Sequence, residues 1–151
     1  MADVTRRDLL QFAAAGTVML AVRPAEATPQ AMREAIRKIV GNAKVTAAGM
    51  QVSVPPLSEN GNVVPCRVTV ESAMTAQDHV KAIHVFNEKN PQPNVISFHL
   101  GPRAGKASVS TRIRLTETQT VTAIAQMSDG SFRSHNAIVI VTQGACVEDT
   151  P

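Results

Sequence analysis

Tryptophan and tyrosine are absent from this 151-residue chain, and phenylalanine occurs only four times. That poverty removes the stacking platforms on which proteins hold bases or sugar rings. Charge of one sign is scarce as well: the net charge is +3, and the basic residues are scattered rather than massed. Such a balance argues against a nucleic-acid or membrane-surface role. No apolar run is long enough to span a bilayer, which takes about 20 residues. The G-x-S-x-G elbow, the H-E-x-x-H helix, the Gly-rich phosphate loop and the dinucleotide fingerprint are all missing. Internal repeats and low-complexity tracts are missing too.

The four histidines fall into no ligand spacing. His79 and His84 are five apart, which on a strand sends them to opposite faces. His99 sits on the polar face of its strand and His135 lies beyond the last hairpin. None of them is spaced with Cys66 or Cys146 as a zinc site requires, so neither metal nor cofactor is expected. Asp78 beside His79 reads as loop capping rather than half of a triad. The chain reads as a binding or carrier module and not an enzyme.

What is present begins with an address. Thr5-Arg6-Arg7-Asp8-Leu9-Leu10-Gln11 is a twin-arginine pattern, followed by the uncharged run Phe12 to Val22 and an A-x-A site at Ala25-Glu26-Ala27. Residues 1–27 are read as a twin-arginine signal peptide built around Arg6 and Arg7. Export to the periplasm follows, with a mature domain over residues 28–151. Its 124 residues carry twelve basic and nine acidic side chains, so the net charge stays at +3.

The mature chain opens with one helix and continues in strands. Thr28-Pro29 supplies an N-cap hydroxyl and a proline at the first helical position. Met32, Ile36, Ile39 and Val40 follow at helical spacing, and Gly41 provides the stop. From Met50 the period becomes two. Strands are expected at Met50–Val54, from Val64 onward, and at His79–Glu88, Val95–Leu100, Lys106–Leu115, Thr120–Met127 and Ser131–Thr142. Asn60-Gly61 and Ser128-Asp129-Gly130 mark turns. Seven short strands with Pro/Gly/Asn punctuation predict an all-β fold, an immunoglobulin-like antiparallel β-sandwich preceded by one N-terminal helix. The two partly apolar faces of His79–Glu88 (Val80, Ala82 and Phe86; Ile83 and Val85) leave one of those faces or an adjacent edge for a partner.

Two cysteines occur in a chain read as exported. The alternation of Val64, Cys66, Val68 and Val70 against Arg67, Thr69 and Glu71 turns Cys66 inward, as a buried and inert thiol. Cys146 follows Gly144 and Ala145 after the last strand, on a tail over residues 143–151. At about 3.4 Å per extended residue it would stand roughly 14 Å beyond Thr142, clear of the sandwich. A tail thiol suits covalent carriage or bonding to a partner, and a Cys66–Cys146 disulfide is the other use of the pair.

The twin-arginine leader and the segment Pro56-Leu57-Ser58-Glu59-Asn60-Gly61-Asn62-Val63-Val64-Pro65 carry a resemblance. Asp78-His79-Val80-Lys81-Ala82-Ile83-His84, Lys106 to Leu115, Gln126-Met127-Ser128-Asp129-Gly130 and the tail cysteine extend it over essentially the whole mature chain. In order and spacing these resemble SoxY, the sulfur-carrier subunit of bacterial thiosulfate oxidation. The resemblance implies an immunoglobulin-like sandwich and a heterodimer with SoxZ. It also implies an arm (Gly144, Ala145) presenting sulfur bound covalently to Cys146 to periplasmic sulfur-oxidising enzymes. The family arm ends Gly-Gly-Cys-Gly-Gly, whereas here Ala145 precedes the cysteine and Val147-Glu148-Asp149 follow it. Bulk and negative charge beside the sulfur favour the alternative, a non-carrier interaction module of the same fold that has lost the swinging arm or uses Cys146 in a disulfide.

Overall fold

The computed structural model describes residues 28–145. Residues 1–27, expected to be a signal peptide, and Cys146 to Pro151 lie outside them. Helix α1 (Pro29–Val40) starts and stops where its end residues dictate. The Thr28 hydroxyl accepts the Ala31 N–H at 3.2 Å, and Gly41 leaves the helix with φ 59°, its N–H donating to the Arg37 carbonyl.

Nine strands follow: β1 Val45–Thr46, β2 Met50–Ser53, β3 Leu57–Ser58, β4 Val64–Val70, β5 Val80–Asn87, β6 Asn94–His99, β7 Ser108–Ile113, β8 Gln119–Met127 and β9 Phe132–Val141. One sheet runs β1-β9-β8-β5-β6 with β3 also on β9, and the other runs β2-β4-β7. The seven expected strands are all present, within a few residues of their expected bounds. The two additional ones, β1 and β3, are dipeptides that pair in parallel with β9. Two residues are too few to show a period, so only tertiary pairing reveals them.

The sheets pack face to face, giving the immunoglobulin-like sandwich. Alternation in β4 is strict: Val64, Cys66, Val68 and Val70 are buried while Pro65, Arg67 and Thr69 are exposed. They meet Ile83, Val85, Val121, Ala123, Ala125 and Val139 of the facing sheet. The Ser128-Asp129-Gly130 turn joins β8 to β9, with Gly130 at φ 85° and the Asp129 carboxylate accepting the Ser131 N–H at 2.8 Å.

The second apolar face of β5 is not left for a partner. Phe86 is packed with Met32 and Val40 of α1, together with Ile124 and Phe132. The helix that precedes the sandwich is thus its lid on that side, and the expectation of an open β5 face is corrected. Exposed apolar surface lies elsewhere. Ile138, Ile140 and Leu57 are 66%, 51% and 52% exposed, and Leu57 lies beside Ile140 in the β3–β9 register.

The two long sides of the sandwich differ. On one, side chains of β9 bridge to the β2 side: His135 Nδ1 accepts the Val52 N–H at 3.2 Å, and the Arg133 guanidinium donates to the carbonyls of Glu71 (2.6 Å) and Gly49 (3.1 Å). On the other, β6 and β7 are the terminal strands of their sheets and lack such a bridge among the described residues.

Candidate functional site: the root of the C-terminal tail

The chain past β9 is held from both sides. Thr142 donates its N–H to the Ser58 carbonyl at 3.1 Å, continuing the β3 pairing. The turn after β3 is shaped by Asn60, whose side-chain oxygen accepts the Asn62 N–H at 2.9 Å. This presents Gly61 to two other segments at once. Gly61 N–H donates to the Gln143 carbonyl at 2.7 Å, and its own carbonyl accepts from Leu115 N–H at 2.8 Å. Ala145 N–H then donates to the Leu115 carbonyl at 2.9 Å. Three segments far apart in sequence are closed into one small ladder.

Both glycines of this ladder are there for close approach. A Cβ on Gly144 would fall 1.8 Å from the Thr116 carbonyl oxygen, and one on Gly61 would fall 2.2 Å from the Leu115 carbonyl oxygen. Neither has the positive φ that would demand glycine for conformation. Thr116 in turn is fixed from below. Its N–H and hydroxyl approach Asn90 Oδ1 at 3.3 and 3.4 Å, Asn90 Nδ2 donates to the Arg114 carbonyl at 2.8 Å, and the buried Gln119 donates to Asn90 Oδ1 at 2.8 Å. The Lys89–Glu117 ion pair at 3.2 Å is solvent-exposed and adds little.

The extended path expected from Thr142 is therefore corrected as far as Ala145, while the expected position of Cys146 lies outside the described residues. Gln143, Gly144 and Ala145 are docked, and Ala145 is buried. Glycine and alanine before the cysteine belong to an anchored root, with Cys146 the next residue in the chain. Sequence reading missed Gly61, Leu115 and Thr116 as parts of this site. The available clue was a Gly at 61 and a Gly at 144, each explained locally when both serve one junction.

Cys66 is where alternation put it, 3% exposed on the inner face of β4. Burial pushes its thiol up to about 11, so at neutral pH it is protonated and unreactive. The histidines are occupied structurally. His79 Nδ1 lies 3.1 Å from the Thr75 carbonyl, and His84 Nδ1 lies 2.7 Å from the Ser97 hydroxyl. Their sequence spacing concealed one pairing: β5–β6 register sets His84 edge-on to His99, ring centres 6.3 Å apart. Burial, then the charge of His99, hold His84 below its ordinary value. No cluster of three or more His, Cys, Asp or Glu side chains able to hold a metal occurs among the described residues. Among the described residues no helix is long and apolar enough to cross a membrane.

Comparison with known proteins bears on this geometry. The sulfur carrier protein SoxY from Chlorobium limicola f thiosulfatophilum superposes with a TM-score of 0.63 at 27% identity, over 75% of this chain and 97% of that one. Superoxide reductase (neelaredoxin) from Ignicoccus hospitalis reaches 0.56 at 16% identity, over 78% and 95%. Superoxide reductase from Nanoarchaeum equitans reaches 0.52 at 8%, over 63% and 99%. The two reductases share the fold alone. No curated protein matches the sequence. The family model of sulfur oxidation protein SoxY matches residues 36–146, a segment that takes in the sandwich and the docked root and ends on Cys146. The chain belongs to the SoxY family of sulfur oxidation proteins.

Proposed function

We propose that the protein is a periplasmic sulfur carrier that binds sulfur intermediates covalently on Cys146 and works as a heterodimer with a SoxZ-like subunit. The observation that carries this reading is the family match ending on Cys146, immediately after a root anchored through Ala145. An anchored root suits carriage because it fixes where the thiol starts while leaving the residues after it to the partner enzyme. Cys66, buried with its thiol pushed up to about 11, does not compete as nucleophile. The patch of Leu57, Ile138 and Ile140 is the surface assigned to the SoxZ-like subunit, since exposed apolar side chains of this size, grouped on one sheet edge, favour a partner. Residues 1–27 direct export by the twin-arginine route, and the rest is the carrier domain.

The loading step is a thiol–disulfide exchange. With tetrathionate as donor, the Cys146 thiolate attacks one of the two inner sulfurs, the bond between those sulfurs breaks, and thiosulfate leaves with the electron pair. The product is a cysteine S-thiosulfonate, cleaved by thiol reductants. Intact-mass spectrometry tests it: the adduct forms on the mature protein, is lost in Cys146→Ser and is retained in Cys66→Ser. An adduct on Cys66, or a native Cys66–Cys146 disulfide, would leave the interaction-module reading, which Val147, Glu148 and Asp149 favour. Replacing Arg6 and Arg7 with lysine abolishes periplasmic accumulation; unchanged export removes the twin-arginine assignment.

A further inference from the structure

Between the free edges of β6 and β7 lies a cavity of about 400 Å³, with the Asn90 side chain bonded to the Arg114 carbonyl in its lining. Asn87, Asn90, Gln92, Asn94, Arg112 and Arg114 supply its polar lining. Asn87 is the unusual member. It ends the buried run of β5 with 0% exposure, and neither its Oδ1 nor its Nδ2 has a hydrogen-bond partner. Buried amide groups are normally paired, and an orphaned one calls for a missing ligand or water. Arg112 and Arg114 bring two positive charges to the rim. Neither has a carboxylate within ion-pair distance among the described residues.

We infer that this cavity binds a small oxyanion. Asn87 Nδ2, sealed behind the inner wall, becomes a donor when an entering anion parts that wall, and the two arginines set the sign of the charge that enters. Taking the anion to be a sulfur oxyanion rests on the carrier reading above. The cavity also adjoins the tail. Asn90, which lines it, holds the Thr116 backbone against which Gly144 is seated. The wall of the cavity and the root of the arm are thus one hydrogen-bonded unit. The oxyanion has two sources: free thiosulfate, or the terminal sulfonate of cargo on Cys146.

The test follows the Asn87 side-chain NH₂ resonances of ¹⁵N-labelled mature protein. In Cys146→Ser, which carries no cargo, thiosulfate is added at constant ionic strength made up with chloride. In the unsubstituted protein, cargo is loaded from tetrathionate and the free anion is removed. A saturable Asn87 shift with free thiosulfate, weakened at least tenfold in an Arg112→Gln/Arg114→Gln variant whose other resonances are unchanged, supports an anion site. The same shift in the loaded protein assigns the site to the cargo; a shift with free anion alone assigns a separate subsite. No Asn87 shift in either arm overturns the proposal, as does a response that chloride reproduces. If removing Val147 to Pro151 moves the Asn87 signal before any anion is added, the tail's own carboxylates occupy the cavity and the proposal falls. Intact mass is read separately, so a Cys146 that never loads removes the carrier reading while leaving the anion result to stand on its own.

Discussion

Gly144→Ala places a methyl group where the Thr116 carbonyl already is. The ideal Cβ lies 1.8 Å from that oxygen and 2.9 Å from its carbon. Thr116 has little room to retreat, because its N–H is held by Asn90 and its hydroxyl approaches the Lys89 carbonyl at 3.4 Å. The root must therefore lift. Lifting breaks Gly61 N–H to Gln143 and Ala145 N–H to Leu115. At about 0.5–1.5 kcal/mol net per bond, the loss is about 1–3 kcal/mol. Re-exposing the Ala145 methyl adds about 0.8 kcal/mol, and the stiffer unfolded chain of an alanine returns about 0.4–1. These two nearly cancel. Because the root can detach while the sandwich stays folded, the cost is capped at the free energy of docking itself. For a domain of this size that is a Tm lower by roughly 5–15 °C. Thermal unfolding gives the total, and amide hydrogen exchange localises it: protection at Gly61 and Ala145 should vanish while β4 and β8 keep theirs. Gly101→Ala is the control, since nothing lies within 4 Å of its Cβ and its φ of −129° suits any residue. An unchanged Tm with Ala145 still protected would refute the anchored root.

Cys66 keeps its proton more tightly in the fold than in the unfolded chain, so its contribution is complete below pH 9, and falls away as pH rises through about 11. Cys66→Ala should flatten alkaline denaturation between those values, measured as Tm against pH. His84 is displaced the other way: its contribution is complete above its ordinary value near 6.5 and lost as pH falls through its lower folded value. His84→Gln should remove that acid-side decline, and a wild-type Tm flat between pH 7 and 5 would contradict the burial argument. Ile140→Lys should abolish pull-down of a co-expressed SoxZ-like protein while moving the isolated protein's stability by only about 0.5 kcal/mol, as its side chain is half exposed. Replacing Val147 to Pro151 with two glycines should speed loading of Cys146 in the intact-mass assay, by removing bulk and the Glu148 and Asp149 carboxylates.

Local chemistry was enough for the helix and most strands. Thr28-Pro29 and Gly41 bound α1 to the residue, and the two-residue period of β4 put Cys66 inside. Those features depend on neighbours a few positions away, which is the range over which sequence pattern speaks. What stayed hidden depends on register across long separations. The His84–His99 contact follows from β5–β6 pairing, interrupted between Val85 and Phe86. The cover over Phe86 comes from a helix whose apolar stripe was visible but whose target was not. Gly144 looked like slack in an arm, and only the Thr116 carbonyl gives it a packing role. Asn87 had a sequence signature, a lone amide ending an apolar strand. It reads as an ordinary strand terminus until the fold leaves it orphaned.

The parallel pairing of β1 and β3 with β9 sets an order of assembly. Val45 waits for Phe132, and Leu57 waits for Ile140, across more than eighty residues of chain. The β5–β6 hairpin and the β2-β4-β7 sheet need nothing later than Ile113. They are free to form while synthesis continues, whereas β8 keeps a bare edge until the final strand arrives. Non-local closure of this kind is slow, and an uncovered central strand invites association with another chain. A ribosome-bound chain halted before Phe132 therefore holds an aggregation-prone intermediate. If the leader directs export in the folded state, that whole interval is spent in the compartment of synthesis, where chaperone cover for β8 becomes a requirement of biogenesis.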